Sequence, residues 1–138
     1  MSSARSTKPV KVNPPDWGFT ARHTFSPAVA CDGWLFVSGL VASGPNRSIL
    51  FPKDIVGQTE VILRYLGEIL REASCGYEDV VATREFIVST DNYRQTAEVR
   101  RRFFKDPFPA ATGVIVAGLL QSEALIELEA IARIPGAK

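Results

Sequence analysis

Two glutamates near the end of the chain have the residue type and the spacing to do chemistry. Glu127 and Glu129 lie in a segment, residues 124–132, whose alternation is typical of a β-strand. Because side chains two residues apart point to the same side of a strand, both carboxylates project from one face. Glutamate is depleted in strands and is seldom buried without a partner. The face therefore either meets water or forms part of a polar site, in which a carboxyl can act as a general acid or base.

Few other residues suggest chemistry by themselves. Arg84 shares a predicted strand face with Phe86 and could enter a cleft, although an ordinary ion pair is the alternative. His23 is the single histidine, and its place in the first strand favours an edge or interface residue over a catalytic base. Cys31 and Cys75 form neither a disulfide framework nor a metal-ligand spacing, so two reduced thiols are expected.

Charge and hydropathy exclude several classes of protein. The 16 basic and 15 acidic residues leave a net charge of +1, which gives no general attraction to nucleic acid or membrane. The arginine cluster at 100–102 is interpreted as a solvated helix end, where cations are favourable. No apolar run approaches the ~20 residues that span a bilayer. The first residues also lack the apolar core of a signal peptide, so a cytoplasmic protein is expected.

The chain divides into an N-terminal arm and one domain. Residues 1–18 are rich in proline and polar residues and are predicted to be an irregular arm, whereas residues 19–138 form a single domain. Within the domain, Asp32-Gly33 is a strong signal for a two-residue hairpin turn, between a strand interrupted at Pro27 and the apolar segment 34–41.

Two amphipathic helices alternate with the remaining strands. The first is predicted over 54–74, with Asp54 as N-cap and Gly76 as C-terminal stop, and the second from Thr90 or Asp91 to Phe104. A third strand covers 79–89, and the last third of the chain is predicted to be a hairpin that presents the two glutamates. The order β-β-α-β-α-β-β indicates an α+β two-layer sandwich. Its uncovered sheet face is expected to be covered by oligomerisation.

Seven short segments, in this order, carry a resemblance to a known family. They are Phe25-Ser26-Pro27-Ala28-Val29, Leu35-Phe36-Val37-Ser38-Gly39, Asp54 with Gln58-Thr59, Glu78-Asp79-Val80-Val81-Ala82-Thr83, Arg102-Phe103-Phe104, Phe108-Pro109-Ala110, and Ile126 to Ala132. Over roughly residues 20 to 133 the chain resembles the YjgF-like, or Rid, family of reactive-intermediate deaminases.

The resemblance implies a fold, an assembly and an activity. The fold is chorismate-mutase-like, and three copies assemble into a homotrimer with the sheets lining a central barrel and pockets in the clefts between subunits. Archetypal members hydrolyse enamines and imines released by pyridoxal-phosphate enzymes, giving a 2-oxo acid and ammonia. The resemblance implies no metal and no organic cofactor for that reaction.

The sequence departs from the archetype at the substrate clamp. Archetypal members carry Pro-Ala-Arg, whose arginine holds the substrate carboxylate, and this chain carries Pro109-Ala110-Ala111. Alanine cannot replace a planar bidentate clamp. A second departure is Phe25, which stands at the position of the family's common tyrosine and lacks its hydroxyl.

The site implied by the resemblance centres on Glu127. This residue matches the family's carboxylate that positions and activates water, and one carboxyl can serve as base for water and as acid for departing ammonia. The other candidate binding residues around this cleft are Phe25, Ser38, Gly39, Ala111 and the backbone near Val116 and Ala117. Arg84, on the strand face that it shares with Phe86, is the candidate replacement for the missing cation. Glu129 is the alternative structural carboxylate, holding a neighbouring strand or a subunit contact.

Three classes of function follow from these residues. The first is a Rid-like hydrolase or deaminase acting on an enamine, an imine or a related intermediate, such as an aminomuconate-type compound, with drift to tautomerase or cyclase chemistry as a variant. The second is a non-catalytic trimer that binds a small metabolite or a partner enzyme. The third is ribonuclease activity, which has been attributed to some relatives; the charge balance argues against it.

Overall fold

The computed structural model describes residues 7–136, which build one mixed sheet and two α-helices. The strands, in chain order, are β1 Val10–Val12, β2 Ala28–Cys31, β3 Trp34–Leu40, β4 Val80–Ile87, β5 Ala110–Ile115 and β6 Ile126–Arg133. The helices are α1 Ile55–Glu72, between β3 and β4, and α2 Thr96–Phe103, between β4 and β5. The six-stranded sheet has the order β1-β2-β3-β6-β4-β5. The α+β class is therefore confirmed.

The hairpin predicted at Asp32-Gly33 is present. β2 and β3 pair antiparallel and end at the pair Cys31–Trp34, which leaves a two-residue loop. Both loop residues have positive φ angles, 53° for Asp32 and 83° for Gly33, as the tight right-twisted hairpin turn requires. The strand before the turn begins only after Pro27 instead of being interrupted there, so the prediction that His23 lies in a strand is wrong.

Helix α1 forms the main cover of the sheet. Its N-cap is Asp54, as predicted, and the Asp54 carboxylate accepts a hydrogen bond from the Gly57 amide at 3.0 Å. The predicted stop at Gly76 is wrong by two residues. Ser74 takes the left-handed conformation with φ 61°, and Gly76 is extended. The apolar stripe of α1 is fully buried against the sheet: Ile62, Leu63, Leu66, Ile69 and Leu70.

Helix α2 begins later than its sequence pattern suggests. Asn92 has φ 59°, which interrupts a helix starting at Thr90 or Asp91, and a single 3₁₀ turn, Tyr93–Gln95, leads into Thr96. The inner face of α2 is set by buried Thr96 and Val99.

The last third of the chain does not form the predicted hairpin. β6 pairs antiparallel with β3 on one side and with β4 on the other, and β5 pairs parallel with β4. Strand β4 therefore lies between β5 and β6. Because the loop at residues 116–125 spans that intervening strand, two segments adjacent in sequence occupy non-adjacent places in the sheet.

The N-terminal arm is only partly irregular. Val10–Val12 forms β1, which adds an edge strand beside β2. After it, the Trp17 indole N–H donates to the Glu68 carboxylate at 3.0 Å, and the Trp17 ring packs edge-on against Tyr65. The arm from Val10 onward is thus attached to the domain, while residues 1–6 lie outside the described part of the chain.

The sheet has one covered face and one open face. On β6, the side chains of Ile126, Leu128, Ala130 and Ala132 are buried in the core beneath the helices. The alternate side chains of β6 point to the open face, where Phe36 of β3 is 47% exposed. Among the described residues, no helix has the length and apolar character needed to cross a membrane. The homotrimer expected to cover the open face remains a prediction.

Candidate functional site

Glu127 and Glu129 both lie on the open face of the sheet, as the alternation predicts. Strand β6 is central there, with β3 on one side and β4 on the other. Across the β4–β6 pairing, Phe86 stands opposite Glu127 and Arg84 stands opposite Glu129. Directly opposed side chains on neighbouring strands are close enough to interact. The register therefore brings together four of the residues singled out in the sequence.

The Glu127 carboxylate lies against the backbone of Gly39. A Cβ atom built on Gly39 would overlap the Glu127 Oε2 atom, so the carboxylate occupies the space where a side chain would begin. The pairing of β3 with β6 is irregular at this point, because Ser38 and Gly39 together face Glu129 alone. Such bulges re-aim side chains locally. The bare backbone of Gly39 thus lets Glu127 lie across β3.

The environment of Glu127 favours its protonated form. Partial burial and, secondly, the nearby negative charge of Glu129 raise the pKa of Glu127 above its ordinary value of 4.5. A carboxyl whose pKa is moved toward neutral can both accept a proton from water and return one to a leaving group. This is the electrostatic behaviour that acid–base chemistry at one carboxyl requires.

Arg84 does not stand free on the open face. Its Nη1 atom lies 2.8 Å from Oε1 of Glu129 in an ion pair whose side chains are 57% and 36% exposed, respectively. The structure thus gives Glu129 the role of holding a neighbouring strand, one of the two alternatives suggested by the sequence. Arg84 nevertheless lines a hollow of about 280 Å³ together with Ala111 and Glu129.

Ala111 lies on the edge strand of this hollow. In the parallel β4–β5 pairing, Ala111 is the partner of Thr83 and Thr112 is the partner of Arg84. Because neighbouring residues of a strand point to opposite sides, the side chains of Arg84 and Ala111 project from opposite faces of the sheet. An arginine at position 84 is therefore not a geometric equivalent of an arginine at position 111. Every residue of β5 is exposed in the single chain.

Ser38 connects the site to the segment that carries Phe25. The Ser38 hydroxyl donates to the carbonyl of Ser26 at 2.6 Å, and the Ser38 amide donates to the carbonyl of Pro27 at 3.0 Å. The hydroxyl proton of Ser38 is therefore already engaged, and its oxygen is left as an acceptor. Phe25, next to this anchored segment, is 58% exposed.

His23 belongs to an aromatic group rather than to the carboxylate cluster. Its Nδ1 atom accepts a hydrogen bond from the Thr20 amide at 3.2 Å, and its ring centroid lies 4.4 Å from that of Phe19. Phe25 packs edge-on against Phe19 with centroids 5.3 Å apart. Phe19, His23 and Phe25 thus form an aromatic group just before Ser26 and Pro27, whose carbonyls accept the hydrogen bonds of Ser38.

The backbone near Val116 and Ala117 was expected to offer hydrogen bonds to a ligand. The Val116 amide instead donates to the Ile87 carbonyl at 2.8 Å, which extends the pairing of β4 and β5 by one bond. That amide is therefore engaged within the chain, and the binding role of the remaining backbone near Val116 and Ala117 stays a prediction. Ala117 is exposed, at the start of the loop that leads toward β6.

A buried polar cluster behind β4 was not found from the sequence. Glu85 is only 4% exposed; its carboxylate accepts hydrogen bonds from the Tyr93 hydroxyl and from Arg100, the latter at 3.3 Å. Arg100 also donates to the Thr96 hydroxyl at 2.7 Å. Burial, followed by the hydrogen bond to Glu85, raises the pKa of Tyr93 to about 12. A sequence signal for this cluster was present. Glu85 shares a strand face with Thr83 and Ile87, and a charge on the covered face of β4 needs a partner.

The arginine cluster is therefore not simply a solvated helix end. Arg100 pairs with buried Glu85, whereas Arg101 pairs with Glu98 on α2 at 2.9 Å and Arg102 with Glu60 on α1 at 2.9 Å. All three cations are used within the chain. The expectation that the chain does not bind nucleic acid stays a prediction.

An α+β sheet that presents a carboxyl on its open face defines the general class, and comparison with known proteins identifies the family. The family model described as Endoribonuclease L-PSP matches residues 18–134. The chain therefore belongs to this family, the YjgF/Rid family, which confirms the resemblance found in the sequence.

Individual relatives agree with this assignment. The chain is 32% identical over 108 residues to a Mus musculus protein named 2-iminobutanoate/2-iminopropanoate deaminase, covering 78% of this chain and 79% of the relative. It is 30% identical to a Homo sapiens protein of the same name, covering 78% of each chain. A Mycobacterium tuberculosis structure of the YjgF/YER057c/UK114 family superposes with a TM-score of 0.76 at 28% identity, covering 92% of this chain and all of that one.

Proposed function

We propose that this protein hydrolyses an imine or enamine, with Glu127 as the acid–base residue. The observation that carries the proposal is the position of the Glu127 carboxylate, half-buried on the open sheet face over the bare backbone of Gly39. Relatives at 30% and 32% identity bear the name 2-iminobutanoate/2-iminopropanoate deaminase, which supports the reaction type.

The proposed reaction uses one carboxyl twice. Ionised Glu127 takes a proton from water as the water oxygen bonds to the carbon of the protonated imine, giving a neutral tetrahedral carbinolamine. The protonated carboxyl then gives its proton to the nitrogen. As the C–N bond breaks, Glu127 takes the hydroxyl proton and passes it to the departing ammonia, so that a carbonyl compound and ammonium leave and Glu127 is ionised again. The raised pKa of Glu127 supports this cycle, because proton exchange in both directions is easiest when the pKa is near the working pH.

The cleft around Glu127 would bind the rest of the substrate. Phe86, which stands directly opposite Glu127, and Gly39 would contact the reacting group. Phe25 would contribute from the neighbouring segment, which the Ser38 hydroxyl holds through its hydrogen bond to the Ser26 carbonyl. The Ser38 oxygen can accept a hydrogen bond from a substrate N–H. These assignments are part of the proposal.

We further propose that the protein works as a homotrimer with sites between subunits. Two features of the single chain support this assembly: β5 is exposed along its full length, and apolar side chains such as Phe36 and Ile115 are 47% and 62% exposed. Exposed apolar surface of this kind usually marks an interface. Light scattering coupled to gel filtration should give three times the chain mass, and a monomer at micromolar concentration would contradict the proposal.

The experiment that tests the reaction measures ammonia release from imines generated in the assay. The panel contains 2-aminoacrylate with its tautomer 2-iminopropanoate, and imines without a carboxylate. The wild-type protein should accelerate ammonia release from at least one of them, and Glu127→Gln should lower that acceleration by at least 100-fold, the order expected for an acid–base group. Glu98→Gln, which changes an exposed carboxylate on α2, is the matched control and should behave as wild type. Full activity in Glu127→Gln would refute the assignment of Glu127.

A non-catalytic binding protein is the second candidate. One observation favours it: alanine stands at position 111, and the neighbouring guanidinium of Arg84 is engaged by Glu129. A binding protein should be stabilised by its ligand, with a rise in melting temperature, and should leave the rate of imine decay unchanged. That combination across the whole panel would replace the enzymatic proposal.

A further inference from the structure

The hollow on the open face presents the Arg84–Glu129 ion pair to a ligand, and Glu127, two residues from Glu129 on the same strand face, lies outside its lining. The residues that line the hollow, all in the described part of the chain, include one cation, Arg84, and one anion, Glu129. Their charged atoms are 2.8 Å apart, so the two charges largely cancel. Glu127 adds a further carboxylate on the same face.

The register of the sheet places Arg84 beside Glu129. Arg84 and Glu129 are directly opposed residues of β4 and β6, and the strand that carries Glu129 is fixed on its other face by buried Leu128 and Ala130. The backbone of Glu129 is therefore held opposite that of Arg84, and the pair separates through a change of rotamer in one of the two side chains. A carboxylate ligand that approached Arg84 would compete with a carboxylate that is already in contact and would be repelled by it.

The rest of the hollow suits an uncharged group. Small or apolar side chains of the open face supply most of its wall: Phe36, Ala82, Ala110 and Ile131. Thr112 adds a hydroxyl, which can donate to or accept from an amide or ester. Such a surface gains free energy from apolar contact and offers a carboxylate no unpaired cation.

We propose that Glu129 is a specificity-determining residue, which holds Arg84 and thereby makes the site select imines or enamines that carry an uncharged group (an amide, an ester or a hydrocarbon) in place of a carboxylate. This inference rests on the proposed function for the reacting C=N group. It adds that the substrate differs in charge from the 2-imino acids after which the relatives are named.

The test uses two probes of matched shape and different charge. They are 2-oxobutanoate, the hydrolysis product of 2-iminobutanoate, and its amide, 2-oxobutanamide. Calorimetric titration at pH 7.5 measures the affinity of each probe for four proteins: wild type, Glu129→Gln, the double variant Glu129→Gln/Arg84→Met, and Glu98→Gln. Glu98→Gln is the control because it also removes one carboxylate that is ion-paired to an arginine, but on α2.

The expected pattern follows from the charges. Wild type should bind the amide about tenfold more tightly than the carboxylate, and Glu129→Gln should raise affinity for the carboxylate about tenfold, as expected for one nearby charge in partly exposed surroundings. The double variant should lose that gain, because the released guanidinium is gone. Glu98→Gln should leave both affinities unchanged.

Three outcomes would overturn the inference: equal binding of the two probes by wild type, no gain in Glu129→Gln, or a gain that survives in the double variant. The wild-type comparison stands even if a variant fails to fold. Because probe binding needs no turnover, the charge preference is measured separately from imine hydrolysis. Absence of ammonia release with a clear preference for the amide would refute the proposed reaction and retain the role of Glu129.

Discussion

The carboxylate of Glu127 lies over the α-carbon of Gly39, in the space that a β-carbon at position 39 would fill. Two strands are involved, because Gly39 is on β3 and Glu127 on β6. The backbone of Gly39 is not in the left-handed region, so glycine is needed here for space rather than for conformation. The position of the proposed acid–base group thus depends on a missing side chain in the neighbouring strand.

Replacing Gly39 with alanine should separate activity from stability. The atoms nearest the added methyl group belong to the end of the flexible Glu127 side chain, which can rotate away at little cost. We expect the free energy of unfolding to change by less than about 1 kcal/mol. Ammonia release should fall at least tenfold, because a displacement of about 1 Å at a reacting group is enough for such a loss.

Gly118→Ala is the matched control for Gly39→Ala. A Cβ at Gly118 would meet no atom within 4 Å, and the φ angle of Gly118 does not require glycine. This variant should keep both wild-type activity and wild-type stability in urea unfolding. Retention of full activity in Gly39→Ala would show that the observed contact does not position Glu127 for the reaction.

Glu127 should make folding stability depend on pH in a defined direction. Its pKa is higher in the folded protein than its ordinary value of 4.5, so the folded state binds the proton more tightly than the unfolded state. Stability should therefore fall as pH rises from about 4.5 through the folded-state pKa, and the full penalty applies above it. Glutamine carries no such penalty.

Urea unfolding of wild type and Glu127→Gln at several pH values measures this effect. The variant should be more stable than wild type at pH 7, by a few tenths of a kcal/mol after allowance for solvent screening. The difference should shrink toward pH 4, where the wild-type carboxyl is protonated in both states. A stability difference that is constant between pH 4 and pH 7 would contradict the raised pKa.

Arg100 should contribute much more to stability than its neighbour Arg101. Arg100 compensates the carboxylate of Glu85, which is 4% exposed, so its replacement by methionine leaves a buried charge with one partner fewer. We expect Arg100→Met to lower the free energy of unfolding by about 2 to 4 kcal/mol. Arg101→Met breaks an exposed pair and should cost less than about 1 kcal/mol. Similar losses in the two variants would mean that Glu85 does not depend on Arg100.

Gln58 should be a structural residue that sets the start of β6. Its amide is fully buried; the nitrogen donates to the carbonyls of Phe51 and Glu123, each at 3.1 Å, and the oxygen accepts from the Leu125 amide at 2.8 Å. Gln58→Leu would leave these three backbone groups without their side-chain partner. We expect a loss of about 2 to 4 kcal/mol in urea unfolding. Gln95→Leu, at an exposed glutamine, should change stability by less than about 0.5 kcal/mol.

Local sequence signals predicted where the helices, strands and turns lie better than they predicted which strands are adjacent in the sheet. The Asp32-Gly33 turn and the Asp54 cap act through residues a few positions away, so the sequence contains the whole cause. Alternation in β6 likewise predicts which side chains face the core. Alternation does not predict which strand lies beside β6. Because consecutive strands are usually neighbours in a sheet, a hairpin of β5 and β6 was predicted, and this hairpin is not formed. The insertion of β4 between β5 and β6 depends on packing across the whole domain.

The candidate site was predictable to the same extent. The shared face of Glu127 and Glu129 follows from their spacing alone. The pairing of Arg84 with Glu129 requires the register of β4 against β6, and the pairing of Glu85 with Arg100 requires the position of α2. Both pairs join distant parts of the chain. Alternation predicts the face of the strand on which a residue lies, but it does not predict the residue with which it pairs.

Restoring an arginine at position 111 tests what the family's missing clamp does in this chain. Ala111 lines the hollow on an exposed edge strand, so a longer side chain can be accommodated. Unlike Arg84, the new guanidinium would have no directly opposed carboxylate, because its partner across the β4–β5 pairing is Thr83. Because Ala111 and Glu127 project from opposite faces of one chain's sheet, the new guanidinium should bind the carboxylate of a substrate held by Glu127 of a neighbouring copy in the proposed homotrimer, with charge-assisted hydrogen bonds.

We expect Ala111→Arg to raise kcat/KM for ammonia release from 2-iminopropanoate by 10- to 100-fold, the effect of about 1.5 to 3 kcal/mol that hydrogen bonds to charged groups contribute. Ala111→Met adds similar bulk without charge and should give no gain. Equal gains in both variants would assign the effect to apolar contact. Inactivity of Ala111→Arg on a substrate that it binds would mean that Glu127 does not activate water for 2-imino acids, and the proposed reaction would then depend on imines of another class.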